Sequence, residues 1–207
     1  MFAYCSNAPV DNYDPTGNYY ASVEDRITTG CGGRGGMPVA KPTYIDSQYT
    51  EGIGNQRLGV TNVSHGGCGV VASYNTLLDL DVNREFKYVL NDYNSNLGSK
   101  LFFGGLAGIT PNSVARYFRK LGYEVISTDD FQMIDALSST ADGCILYYSW
   151  DSNALVPPYY AHFISYRTEG EGYLGYNING QTQKFTSPSA FVEEKQGKKA
   201  IGIFIFK

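Results

Sequence analysis

The apolar positions of the chain change period twice. Residues 1–60 show no sustained apolar period. They carry turn signals (Asn-Ala-Pro, Asp-Pro, Thr-Gly, Gly-Asn) and then the glycine cluster Gly30-Cys31-Gly32-Gly33-Arg34-Gly35-Gly36. From Cys68, residues Val70, Val71, Tyr74, Leu77 and Leu78 share one face at helical spacing. A second short helix is predicted over 83–91, with Phe86, Val89 and Leu90 inward. A third has clear punctuation: Thr110 as N-cap, Pro111 at the first helical position, and Gly122 as the stop after Leu121. Its inner face is Val114, Tyr117, Phe118 and Leu121. A fourth starts near Asp129-Asp130 and turns Phe131, Ile134 and Leu137 inward.

After residue 142 the pattern becomes strand-like. Strands are predicted over 144–150, 162–166, 173–178 and 200–206, with 123–126 as an added edge. The charged, glycine-containing stretch 167–172 reads as a hairpin connection. Helices first and antiparallel strands second give an α+β domain. We assign 1–55 to an irregular N-terminal arm or pro-segment and 56–207 to the folded body. The arm is too poor in core-forming pattern to fold alone, so it is expected to lie along the body near the Cys68 cleft.

Composition narrows the function. The chain has 207 residues, 43% hydrophobic and 17% charged, enough for one domain with its own core. The net charge of −4 leaves no basic surplus for a phosphate backbone, so no nucleic-acid partner is expected. No stretch approaches the roughly 20 apolar residues of a membrane helix, so no membrane-spanning segment is predicted. The first residues show neither a basic nor an apolar leader region, which favours the cytoplasm unless the chain was trimmed. Cys5, Cys31, Cys68 and Cys144 have no C-x-x-C spacing, which argues against structural zinc. The glycine cluster lacks the Lys-Ser/Thr ending of a phosphate loop. No metal and no cofactor are expected.

Three stretches carry candidate chemistry. The first is Asn62-Val63-Ser64-His65-Gly66-Gly67-Cys68-Gly69. A cysteine at the start of a helix sits in the positive end of the helix dipole, which stabilises its thiolate. The amide N–H of Cys68 would be free to stabilise an oxyanion. The second is Ala161-His162-Phe163-Ile164. With two histidines in the chain, any imidazole partner is His65 or His162, and His65 is too close to Cys68 in sequence for the usual geometry. The third is Tyr176-Asn177-Ile178-Asn179-Gly180 on the next strand. An amide there can hold the imidazole tautomer, and strand parity does not choose between Asn177 and Asn179.

In these residues the chain resembles the papain-like cysteine peptidases, and among them the bacteriocin-processing peptidases that cut after double-glycine leaders, with their stand-alone relatives. The matching features are Cys68-Gly69, His162-Phe163-Ile164 and Asn179-Gly180, with a helix ending in Leu121-Gly122-Tyr123 and running into a strand. The resemblance covers roughly residues 56–206. It implies a papain-like fold and a Cys68-His162-Asn179 site, with Asn177 as the alternative third member. It also implies an oxyanion role for Asn62, six residues before Cys68, where the family has Gln. Val70 stands where the family has Pro, and Asn179 where it has Asp. The implied activity is hydrolysis of a peptide or amide bond in a peptide or protein substrate. The same residues admit an acyltransferase, or a peptide-binding module of weak or no activity. Substrate sequence, oligomeric state and compartment are left open.

Overall fold

The computed structural model describes residues 43–95, 108–150 and 161–207. All of these lie in one compact unit, Pro42–Lys207. Residues 1–42, most of the expected arm, lie outside the described residues. Residues 43–55 belong to the body, because hydrogen bonds from buried side chains fix them there. Asn75 grips Ile45 at both main-chain groups, accepting from its N–H at 2.8 Å and donating to its carbonyl at 3.0 Å.

The chain then forms a small hairpin, β1 (Arg57–Leu58) and β2 (Thr61–Asn62), and the helices α1 (Val63–Gly66), α2 (Cys68–Asp79), α3 (Phe86–Asn94) and α4 (Pro111–Lys120). Next come β3 (Glu124–Thr128), α5 (Phe131–Ser138), β4 (Gly143–Ser149) and β5 (Ala161–Glu169). The order closes with β6 (Gly172–Ile178), β7 (Gln181–Phe185), α6 (Pro188–Glu194) and β8 (Lys199–Phe206). Six strands make one antiparallel sheet in the order β3-β8-β4-β5-β6-β7. The mixed helix and antiparallel-sheet class follows the expectation from sequence.

Both faces of the sheet are covered. On one face α2, α3 and α4 bury Val71, Leu77, Val89, Val114 and Phe118 against Ile145, Phe163, Ile203 and Ile205. On the other, α5 and α6 bury Ile134, Phe191 and Val192 against Leu146, Ile164, Tyr166 and Phe204. This explains why β4 reads as an unbroken apolar run: nearly every residue in it is buried. At its start, a Cβ on Gly143 would meet Thr76 at 2.6 Å, so glycine is what lets α2 lie this close to the sheet.

Local signals explain the agreements and the shifts. Thr110 caps α4 by accepting from the Ser113 N–H at 3.2 Å, and Gly122 takes φ +93° after its end. Helix α3 starts at Phe86, three residues later than the pattern implied, because Glu85 remains extended as its N-cap. Phe131 is exposed rather than inward; Asp130 caps α5 immediately before it, and Ile134 is the buried residue. Strand β5 runs on to Glu169 and pairs with Gly172, so the expected connection shrinks to a turn at Gly170 and Glu171. Strand β7 and helix α6 had no sequence expectation: Gln181–Phe185 is polar on its exposed edge, and α6 is only seven residues long.

Candidate active site

The short helix α1 delivers the chain to Cys68. Asn62 is its N-cap, with Oδ1 accepting from the His65 N–H at 3.1 Å and from the Ser64 hydroxyl at 2.8 Å. Gly67 closes α1 by donating to the Val63 carbonyl at 2.8 Å and is also the N-cap of α2. It has no side chain with which to cap α2, so the helix starts at Cys68 without a side-chain cap. Across from this turn, Gly108 adopts φ +71°, and a Cβ there would come within 3.1 Å of the Gly66 carbonyl.

His162 is the second residue of β5 and faces Tyr148 on β4, their rings edge to face at 6.0 Å. The β5–β6 ladder stops at Ser165 opposite Tyr176. Beyond it the pairing of β6 with β7 shifts register between Gly175 and Ile178, and Asn177 takes φ +62°. That left-handed turn, which Asn tolerates better than most residues, frees the Asn177 carbonyl from the ladder. Nε2 of His162 lies 2.5 Å from that oxygen. A carbonyl only accepts, so Nε2 carries the proton and Nδ1 is left for Cys68.

The electrostatics make Cys68 and His162 a pair. Burial pushes the Cys68 thiol up. The hydrogen bond and charge of His162, with the amides of Phe163 and Gly69, outweigh burial and bring the thiol below its ordinary value. Burial likewise lowers the His162 imidazole, but its bond and charge interaction with Cys68, with the Asn177 carbonyl, raise it above its ordinary value. The directions are those of a thiolate–imidazolium pair. Burial first, and then the Cys68 charge, push the Tyr147 and Tyr148 hydroxyls up, so they stay neutral.

No protein-family model matches the chain, and no curated protein matches it. Among solved structures it is similar to the peptidase domain of Streptococcus ComA, described as a bi-functional ABC transporter involved in a quorum sensing pathway. The similarity has 13% identity and a TM-score of 0.45, and covers 67% of this chain and 90% of that one. A likeness of this size identifies no family, so the site has to be read from its own geometry.

That geometry brings Cys68 and His162 together, with the Asn177 main chain against the far side of the imidazole. Asn179 is exposed in the turn after β6, with φ +51°. Asn177 is buried (1% exposed), but its side chain points to Gln48 and its main chain to His162. Asn62 lies in the segment leading to Cys68 with its oxygen committed to the α1 cap. His65 is exposed on α1. Trp150 packs edge to face on Tyr148 and donates to the Lys195 carbonyl at 2.6 Å. Tyr159 and Tyr160 lie outside the described residues.

Cys144, the other described cysteine, is buried in the sheet with its thiol pushed up to about 12 by burial, so it is no rival nucleophile. Among the described residues no group of His, Cys, Asp or Glu is arranged to hold a metal ion, and no helix is long and apolar enough to cross a membrane. Sequence reasoning missed Gln48, which no motif marks because it sits in a stretch without apolar period.

Proposed function

We propose that the chain is a cysteine peptidase or amidase of papain-like fold that cleaves a peptide or amide bond through Cys68 and His162. The observation that carries this reading is the pairing itself. A thiol at an uncapped helix start and an imidazole of fixed tautomer are coupled strongly enough to reverse the effect of burial on both.

In the proposed reaction the Cys68 thiolate attacks the carbonyl carbon. The negative oxygen faces the Cys68 amide at the start of α2 and the Asn62 side-chain amide. Protonated His162 gives its Nδ1 proton to the departing amine as the C–N bond breaks, leaving a thioester on Cys68. Neutral His162 then takes a proton from water, which attacks the thioester. The acid is released and the pair is restored. The Asn177 carbonyl keeps Nε2–H in place throughout. A second nucleophile in place of water would make the same site an acyltransferase.

The first test needs no known substrate. Iodoacetamide labelling of the Cys68 peptide at mildly acidic pH is expected to be fast. His162→Ala is expected to slow it about 10-fold there, with little change at alkaline pH, because the thiolate then forms only at a higher pH. Hydrolysis of a mixed peptide pool, lost in Cys68→Ala, completes the test. A Cys68 that labels like an ordinary buried thiol would leave only a peptide-binding module.

A further inference from the structure

The third group of this site is a main-chain carbonyl. It has no side-chain chemistry of its own, so its direction depends entirely on what holds the Asn177 backbone at φ +62°. The β5–β6 pairing stops at Tyr176, and the β6–β7 pairing shifts register across Asn177 before resuming at Ile178 opposite Gln181, so the ladders alone do not hold it. The Asn177 carboxamide does, and both its ends are engaged by one residue. Its Oδ1 accepts from the Gln48 main-chain N–H at 2.9 Å, and its Nδ2 donates to Gln48 Oε1 at 3.2 Å. Both residues are buried, Gln48 at 4% and Asn177 at 1% exposure. Without this clamp, two buried amide groups would be left unpaired.

Gln48 also reaches the other half of the site. Its Nε2 donates to the Ser64 carbonyl at 2.9 Å, in the short helix α1 that leads into Cys68. The segment carrying Gln48 is itself pinned between α2 and β6. Tyr44 donates to Asp79 at the end of α2 at 2.7 Å and stacks on Tyr176 at 4.4 Å. Ile45 is gripped by Asn75 of α2. The strand side, carrying the orienting carbonyl, and the helix side, carrying the nucleophile, thus meet through one buried glutamine.

We propose that Gln48 is a positioning residue: by clamping the Asn177 carboxamide and tying it to Ser64, it sets the carbonyl that fixes the His162 tautomer opposite Cys68. This rests on the peptidase reading for its purpose, but not for its physics. Gln48 touches neither reacting atom and acts through Asn177. The carbonyl is kept in Asn177→Gly, a residue that tolerates φ +62°, while the clamp is lost.

The test uses the full chain and two readouts. Nitrogen NMR of the two imidazoles reports the His162 tautomer, and iodoacetamide labelling of Cys68 against pH reports the thiolate. In the wild type, His162 is expected as the doubly protonated imidazolium while Cys68 is a thiolate, and as the Nε2–H tautomer once it loses a proton at higher pH. In Gln48→Ala a mixture of tautomers is expected, with acid-side labelling slowed about 3- to 10-fold and labelling at alkaline pH unchanged. Asn177→Gly should show the same change, and the double variant should be no worse than either single one. Gln48→Met, close to Gln in shape but without the side-chain acceptor and donor, should show the same change and serves if Gln48→Ala does not fold. A Gln48→Ala that melts earlier but keeps tautomer and labelling profile, or additive effects in the double variant, would overturn the proposal. An ordinary Cys68 profile in a wild type whose His162 is nevertheless held as Nε2–H would instead overturn the peptidase reading and leave the positioning role standing.

Discussion

His162 gives its Nε2 proton to the main-chain oxygen of Asn177 at 2.5 Å. An orienting group of this kind carries no charge, so the His162 imidazolium draws its stabilisation chiefly from Cys68. The thiol and imidazole therefore depend on each other more than in a site whose third member is a carboxylate.

Asn179 follows as the first prediction. It is exposed in the turn after β6 at φ +51°, a conformation glycine adopts without strain. Asn179→Gly is expected to leave the pH profile of Cys68 alkylation unchanged. Asn179→Ala should also leave the profile unchanged but cost about 1 kcal/mol of stability, because Ala lacks the short polar side chain that lets Asn take the left-handed region. Urea melts and labelling rates on the two variants check both. A profile displaced to higher pH in Asn179→Gly would return the orienting role to the Asn179 side chain.

The oxyanion role of Asn62 is separable from its cap. Its oxygen holds the His65 N–H and the Ser64 hydroxyl, and only its amide nitrogen is proposed for the oxyanion. Asn62→Ser keeps a good cap but has no amide to extend. We expect the Ser variant to keep wild-type stability and to slow turnover of a p-nitrophenyl ester by about 10- to 1000-fold. Asn62→Ala should show the same slowing and lose about 1 kcal/mol besides, through the missing cap. Wild-type turnover in Asn62→Ser would assign the second donor elsewhere.

These residues also show what a sequence discloses. The Cys68 helix start, the His162 strand and the Thr110 cap are local: each is set by period, punctuation and residue type within a few positions. Choosing between Asn177 and Asn179 required the register shift in β6, and parity alone could not supply it because the bulge breaks parity. Gln48 was out of reach for a different reason. It acts across 129 positions in sequence, from a stretch with no apolar pattern, and its value lies in two buried amides that meet only in three dimensions. Phe131 failed in the opposite sense, since an apolar residue in the first turn of a surface helix need not face the core.

The last prediction concerns the far end of α2. Asp79 accepts from the Tyr44 hydroxyl at 2.7 Å, but its buried Oδ2 has no hydrogen-bond partner among the described residues. It also sits at the negative end of its helix. Burial pushes its carboxyl up to about 6, against the pull of the Tyr44 bond and the Arg167 charge. A folded-state value above the unfolded one means that the folded chain binds the proton more tightly. Asp79 is therefore most favourable below its unfolded value near 4. Its contribution is lost as pH rises through about 6, at a cost on the order of 2–3 kcal/mol at neutral pH. Asn in this place keeps an acceptor for Tyr44 and never ionises. Asp79→Asn is accordingly expected to raise stability in urea melts at pH 8, and the gain should shrink steadily towards pH 4, where the wild-type carboxyl is protonated as well. A gain independent of pH would trace the effect to packing. A loss at pH 8 would show that the Arg167 charge outweighs the burial of the carboxylate.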